Sequence, residues 1–452
     1  MDSQISRRRA ARTAFQRIIH GLFCKPRSQN EVAFRPPPVG VRSHVHRGFR
    51  DKDRAALAIA CITAFRENSG QPRNVPEVPL NATPDLPSSP RSPSAPAELA
   101  ALSARLGADR GSVQGGGGNT SYKSGDDFWV KASGTWLAHA ETQDIFVHLP
   151  LSGVRAAMAE PDPEAALLAL APTGGARPSI ETSLHALMPQ AVVLHVHSVN
   201  TIAYAVRADA ETALAARLEG SNWAWVPYRR PGLPLTDAIR DALANARGTP
   251  DILILGNHGL VVAGNDYTSA EARLREVETR LALPARAPSP PDLARLVAVN
   301  DAGWTIADDP SLHAIGTDAT TRAIALRGAL YPDHVVFLGE RAFALPDATE
   351  ADSPASLRAA LNLVAARGAP EPAYVIVEGA GVLLSPSLSP GACAMLGCLA
   401  DVGLRLDGRE SLRYLTLEDV AALMGWEAEA YRRARDATAP DPAASDSPPV
   451  PV

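Results

Sequence analysis

Two short segments constrain this chain more than any others: residues 194–198, Leu-His-Val-His-Ser, and residues 256–260, Gly-Asn-His-Gly-Leu. Each ends or follows an apolar run, the first starting at Ala191 and the second at Ile252. A short apolar run bounded by turn residues reads as a buried strand. Side chains two apart on a strand share a face, roughly 6.5 Å from one another. His195 and His197 can therefore present two imidazoles to one point, and His258 can supply a third. Three histidines with an open position make a catalytic metal site rather than a closed structural one. A bare His-x-His pair means little by itself; His44 and His46 form another, with no apolar strand around it. His195 and His197 differ because two polar rings on an apolar strand each need a partner. Neutral imidazole suits zinc, copper, iron or nickel better than hard, oxygen-seeking ions.

Composition narrows the setting. The net charge of -5 provides no basic field for nucleic acid, while a local site can still take an anion. Cys24, Cys61, Cys393 and Cys398 form no Cys-x-x-Cys pair and no disulfide framework, so they read as free thiols of a reducing compartment. No run reaches the ~18 apolar residues of a membrane span. The N-terminal arginines (Arg7, Arg8, Arg9, Arg12, Arg17) precede no hydrophobic core of a targeting signal. The expectation is a cytoplasmic protein that binds neither nucleic acid nor membrane.

Residues 1–95 read as a disordered extension, basic at first and rich in Pro and Ser from Pro76 to Pro96, with one short helix at 54–67. Residues 96–283 alternate strand and helix signals, the pattern of a layered α/β domain. Ser179 reads as the cap of a helix ending near Leu187, residues 202–206 as another strand, and Tyr267 opens a closing helix. Residues 284–292 are a stiff Pro-rich linker. Residues 293–437 form a second, smaller α/β domain, in which 333–339 reads as a strand and 417–433 as one helix capped by Thr416 with Asp419. Residues 438–452 read as a disordered tail.

Glu181 has two readings. It sits in the first turn of a helix, where the dipole favours a carboxylate, and it can be a general base beside the metal. His185, four residues on, shares its helical face and can hydrogen-bond it. The run Gly115–Gly118 before Asn119 can form an anion nest or a flexible loop, and Ser133-Gly134 after Lys131 offers a second nest. No Walker lysine and no dinucleotide fingerprint accompany these glycines. His148, His185 and His313 read as structural or supporting residues.

In order and spacing these pieces resemble the class II aldolase/adducin family. The matching residues are Gly118-Asn119-Thr120-Ser121, Lys131-Ala132-Ser133-Gly134-Thr135, Ser179-x-Glu181-x-x-x-His185, His195-x-His197 and His258-Gly259. The likeness spans residues 97–283 and is greatest to the aldolase part of bifunctional rhamnulose-phosphate aldolase/dehydrogenase proteins; no dinucleotide fingerprint follows residue 284. The resemblance implies a three-layer α/β/α fold and a homotetramer. It implies Zn2+, or another divalent transition metal, on His195, His197 and His258, with Glu181 as acid/base. It implies substrate contacts from Gly118, Asn119, Lys131, Ser133, Gly134 and Ser179. The implied activity is aldol cleavage or formation of a ketose, its 1-phosphate first, through a metal-stabilised enediolate. A pentose-phosphate 4-epimerase or a decarboxylase on the same fold is the alternative, and a non-catalytic adducin-like scaffold is a more distant one. Ile180 departs from the pattern: sugar-phosphate aldolases of the family often carry a second serine there. The family's tyrosine from a neighbouring subunit has no assigned counterpart in this chain.

Overall fold

The computed structural model describes residues 94–172, 174–301, 303–345 and 353–437. The expected extension up to residue 93, its helix at 54–67, and the tail from 438 lie outside the described residues. Among the described residues no helix is long and apolar enough to cross a membrane.

The first sheet has seven strands in the order β3-β2-β1-β4-β7-β6-β5. They are β1 (Asn119–Ser124), β2 (Asp127–Lys131), β3 (Phe146–Pro150), β4 (Val192–Val196), β5 (Trp223–Val226), β6 (Ile252–Leu255) and β7 (Gly259–Gly264). Neighbours run antiparallel except β5 and β6. Helices α1 (Ala97–Ala108), α2 (Leu151–Ala157), α3 (Pro163–Ala169), α4 (Thr182–Leu187), α5 (Val199–Ala205), α6 (Ala210–Arg217), α7 (Leu233–Asn245) and α8 (Tyr267–Arg280) cover its faces.

The central strand β4 shows why three layers form. Its five residues are all buried, so both faces must be covered. Val192, Leu194 and Val196 pack in one cluster with Leu102 of α1, Leu214 of α6 and Leu274 of α8. Val193 packs on the other side with Leu184 of α4 and Ile239 of α7. Each such side chain contributes about 1.5–3 kcal/mol by leaving water. Alternation puts His195 on the Val193 side, the face that carries the chemistry.

A second sheet, ordered β8-β11-β10-β9, follows. It comprises β8 (Thr305–Ile306), β9 (Phe343–Leu345), β10 (Tyr374–Val377) and β11 (Gly381–Leu384). Its helices are α9 (Leu293–Val299), α10 (Ala314–Thr317), α11 (Ala319–Arg327), α12 (Pro332–Leu338), α13 (Pro354–Ala366), α14 (Pro390–Arg405), α15 (Leu417–Met424) and α16 (Glu427–Asp436). Leu296 and Leu357 cover one face through Val375 and Leu383. Ile376 and Val382 on the other face join a cluster with Met395 and Leu399 of α14 and with Val199 and Ile202 of α5. The apolar core is thus continuous from the second sheet to α5, which starts directly behind His197. The 284–292 segment is held too, with Arg286 N–H donating to Leu404 O at 2.9 Å.

Four sequence expectations are corrected. Residues 202–206 are helical: Ser198 Oγ accepts from Thr201 N–H at 3.1 Å and starts α5, so a buried apolar run mistaken for a strand is a helix. Residues 333–339 are helix α12 rather than a strand, opened by Pro332 in the first turn where its missing N–H costs nothing. The helix expected at 417–433 is two, parted at Gly425-Trp426, although the Thr416–Asp419 capping box forms as expected. Ser179 does not cap α4; Glu181 stands at that position and Ser179 Oγ accepts its N–H at 3.2 Å.

Candidate metal centre and active site

His195 lies on β4, His197 just past its end, and His258 in the turn between β6 and β7. Asn257 makes that turn possible: it is the single described non-glycine residue with positive φ, at 49°. Asparagine tolerates that region better than most residues. Its amide donates to Leu330 O at 2.9 Å and Arg413 O at 2.8 Å, so the second half of the chain pins the loop that carries His258.

The three rings are buried and converge, with centroids 4.9 to 5.3 Å apart. One nitrogen from each lies within 4.8 Å of the others. His195 Nε2 and His197 Nε2 face each other at 3.2 Å. Two nitrogens on one tetrahedral zinc, each at ~2.05 Å, stand roughly 3.4 Å apart. His195 Nδ1 lies 3.1 Å from Leu260 O, which fixes its proton there and leaves Nε2 as a lone pair. Burial holds His195 below the usual histidine range and pushes His258 down to about 3. Neutral rings at neutral pH are the metal-binding form. Buried nitrogens aimed at one another without donors between them fit a divalent transition ion.

Glu181 completes the cluster. Its Oε2 lies 3.4 Å from His195 Nε2 and its Oε1 3.5 Å from His258 Nε2. Burial raises its pKa, but His195, His258, the Asn119 amide and His197 outweigh that and bring it to about 2. Asn119 Nδ2 donates to Oε2 at 2.9 Å, whereas Oε1 has no hydrogen-bond partner among the described residues. His185 does not touch Glu181 as expected from their spacing. It bonds Asn119 Oδ1 through Nε2 and Ser121 Oγ through Nδ1, the latter at 2.7 Å. An amide oxygen accepts, so His185 Nε2 carries the proton and Nδ1 takes the serine O–H. The chain Ser121–His185–Asn119–Glu181 therefore runs in one direction and holds the carboxylate in place.

The pocket above this cluster is lined by Gly118, Asn119, Lys131, Ser133, Gly134, Ser179, Glu181, His197 and His258, so the structure brings together the expected residues, with His195 behind them. Gly118 is required by geometry, with φ of 60° and a position where a Cβ would meet His195 O at 2.9 Å. Lys131 Nζ donates to Gly116 O at 2.9 Å and Thr135 O at 2.6 Å, and burial brings it down to about 7, helped by the charge of Arg432. The remaining expected histidines are structural: His148 bonds Asp127 at 2.8 Å and His313 bonds Ala307 O at 3.0 Å.

Asp333 and Arg432 also line the pocket, and sequence reasoning missed both. Asp333 stands at the start of α12, which reads as a strand, and Arg432 is one of several arginines on α16. No motif marks either. Arg432 Nη1 donates to Asp333 Oδ1 at 3.0 Å and to Glu429 Oε2 at 2.9 Å, all three being buried.

Residues 97–283 match the model of the class II aldolase and adducin N-terminal domain. Over that segment the chain is similar to the class II aldolase/adducin family. The family domain carries His195, His197, His258 and Glu181, while Asp333 and Arg432 lie outside it. The chain is 35% identical over 182 residues to an uncharacterized oxidoreductase, YuxG, of Bacillus subtilis, covering 37% of this chain and 26% of that one. It is 30% identical over 205 residues to a probable bifunctional methylthioribose-1-phosphate isomerase/methylthioribulose-1-phosphate dehydratase of Nocardia farcinica, covering 40% and 33% respectively. The chain thus matches only about a quarter to a third of the length of these two relatives. It is 24% identical over 182 residues to an L-fuculose phosphate aldolase of Methanocaldococcus jannaschii, covering 39% and 87%.

Proposed function

We propose that this chain is a metal-dependent lyase that breaks or forms a carbon–carbon bond in a ketose, its 1-phosphate being the first candidate. The observation that carries this reading is the convergence of His195, His197, His258 and Glu181 on one point of a single pocket. His195, His197 and His258 would hold the ion, with zinc the proposed metal. Such an ion, when bound, polarises a substrate carbonyl and stabilises negative charge developing on its oxygen.

The protein's own groups do the rest. Glu181 is ionised at neutral pH and acts through Oε1, since Oε2 is tied to Asn119. In the cleavage direction Oε1 takes the proton of the β-hydroxyl, the carbon–carbon bond breaks, and an aldehyde leaves. The same carboxyl then returns the proton to the carbon that carried the bond. Lys131, Ser133, Gly134 and Ser179 are the proposed contacts to the anionic end of the substrate. The proposed assembly is a homotetramer in the cytoplasm, checked for its size by light scattering.

A specific observation supports a second reading. Ile180 lines the pocket and adds no hydroxyl where sugar-phosphate aldolases often have one. The same metal and base would equally serve an epimerase, a decarboxylase or a dehydratase, and the Nocardia relative is described as a dehydratase in part. Product analysis separates them. The metal-loaded protein is incubated with ketose 1-phosphates and with a trap for released aldehyde. Trapped aldehyde supports the lyase; an isomer of unchanged carbon count, carbon dioxide or loss of water points to the others. No turnover with metal bound would sink the ketose reading.

A further inference from the structure

We propose that Asp333, clamped by Arg432, is a positioning residue for the metal centre, holding His197 with Nδ1 protonated so that Nε2 is presented to the ion. The inference rests on the metal-lyase reading above and deepens it. It assigns part of the centre to a region outside the family domain.

The three imidazoles differ in what stands behind them. His195 Nδ1 faces Leu260 O, a strand neighbour inside the family domain. His258 Nδ1 has no hydrogen-bond partner among the described residues. His197 Nδ1 faces Asp333 Oδ2 at 3.2 Å, within ion-pair range though outside hydrogen-bond geometry, and has no hydrogen-bond partner among the described residues. A carboxylate behind an imidazole selects the tautomer, fixes the ring and raises the basicity of the opposite nitrogen.

A carboxylate this buried would be costly alone. Arg432 compensates it from two nitrogens, Nη1 to Oδ1 at 3.0 Å and Nη2 to Oδ2 at 3.3 Å. Glu429, one turn earlier on α16, holds the same guanidinium. The order of contact is therefore α16 to α12 to His197, and both helices follow residue 283. Gly117 provides an independent sign that this contact is built in. A Cβ there would lie 2.8 Å from His197 Nδ1 and 3.0 Å from Asp333 Oδ2. The imidazole and carboxylate meet only because residue 117 has no side chain.

The test uses the full chain, stripped of metal. Zn2+ affinity is read by competition with a chromophoric chelator, and the visible absorption of the Co2+-loaded protein reports the ligand field. Asp333→Asn keeps the volume and removes the charge; it should bind Zn2+ about 10–100-fold more weakly and shift the Co2+ spectrum. Asp333→Glu should recover part of both. Wild-type affinity and an unchanged Co2+ spectrum in folded Asp333→Asn would overturn the inference and leave the metal-lyase reading standing. No Zn2+ on the wild-type protein would overturn both. Should Asp333→Asn fail to fold, Gly117→Ala decides, since it leaves Asp333 and Arg432 in the chain and wedges a methyl group against His197 Nδ1, Asp333 Oδ2 and Gln114 O. A loss of about tenfold or more in Zn2+ affinity supports the proposal, and an unchanged affinity overturns it.

Discussion

Arg432→Met is the most demanding single test of the buried charge cluster that stands behind His197. Arg432, Asp333 and Glu429 are 8%, 2% and 0% exposed, so solvent cannot replace any partner that is lost. The guanidinium is held above its usual value, because Asp333 and Glu429 outweigh the cost of burial. Methionine keeps most of the volume and removes both ion pairs. Two buried carboxylates then face each other without a cation, and burial already pushes Glu429 upward. Removing one partner of a buried pair costs about 3–5 kcal/mol, mainly through the charge left behind. The assay is urea unfolding of the metal-free protein at constant pH, comparing midpoints at equal slope. The triple variant Arg432→Met/Asp333→Asn/Glu429→Gln carries no stranded charge and should regain most of that loss. A single variant within about 1 kcal/mol of wild type would refute the reasoning, as would a triple variant no more stable than the single.

Glu181→Gln keeps the shape of the base and removes its proton chemistry; turnover should fall about 10²–10⁴-fold while metal content is retained, and an active Glu181→Gln would remove Glu181 from the mechanism. Asn119→Ala cuts the link from His185 to Glu181; it should lower turnover more than it raises KM, and a change confined to KM would mean that Asn119 only binds substrate. Lys123 carries a pH dependence of stability. Burial, with Arg155 adding to it, lowers Lys123 from 10.5 to about 7. Between those values the unfolded lysine binds a proton that the folded one does not, so stability rises with pH by up to about 1.4 kcal/mol per unit, and below about 7 the penalty is complete. Lys123→Met should flatten that slope between pH 7 and 10, and parallel curves for the two proteins would contradict the assignment.

Much of the centre was legible because its residues obey short-range rules. The period of two places His195 and His197 on one side of β4, and an Asn-His-Gly turn places His258 beside them. Glu181 was legible as a carboxylate near the strand, but its partner was not. Helical spacing pointed to His185, whereas cross-strand geometry puts Asn119 opposite His195 on β1 and makes it the actual donor. The errors at 202–206 and 333–339 share one cause. A short, largely buried run has no solvent-facing polar side from which to read a period, so caps alone decide, and Ser198 and Pro332 were the signals. Asp333 and Arg432 had no signal at all, since a contact spanning 99 residues of sequence leaves no pattern in either segment.

That long-range contact changes what the second half of the chain is for. From sequence, residues 293–437 carried no donor set and no carboxylate pair tied to the site. In the fold they reach the three histidines at three points, one of them the Tyr331 ring, edge-on to His197 with centroids 5.6 Å apart. Asp333 stands behind His197, and Leu330 and Arg413 hold the Asn257 amide in the turn that carries His258. The Asn257 contact can be tested apart from the others. Asn257→Gly keeps the positive φ and loses both hydrogen bonds, whereas Asn257→Ala loses both and adds backbone strain. Each hydrogen bond contributes about 0.5–1.5 kcal/mol, and leaving the two carbonyls unpaired adds to the loss. Asn257→Gly should therefore cost about 1–3 kcal/mol and loosen His258, with weaker Zn2+ binding as the sign. Asn257→Ala should cost a further ~1 kcal/mol or more for the strained turn. Equal stability of the two variants would mean that φ is not what asparagine is kept for. A Zn2+ affinity unchanged in both would mean that the second half braces the fold around His258 without setting its position.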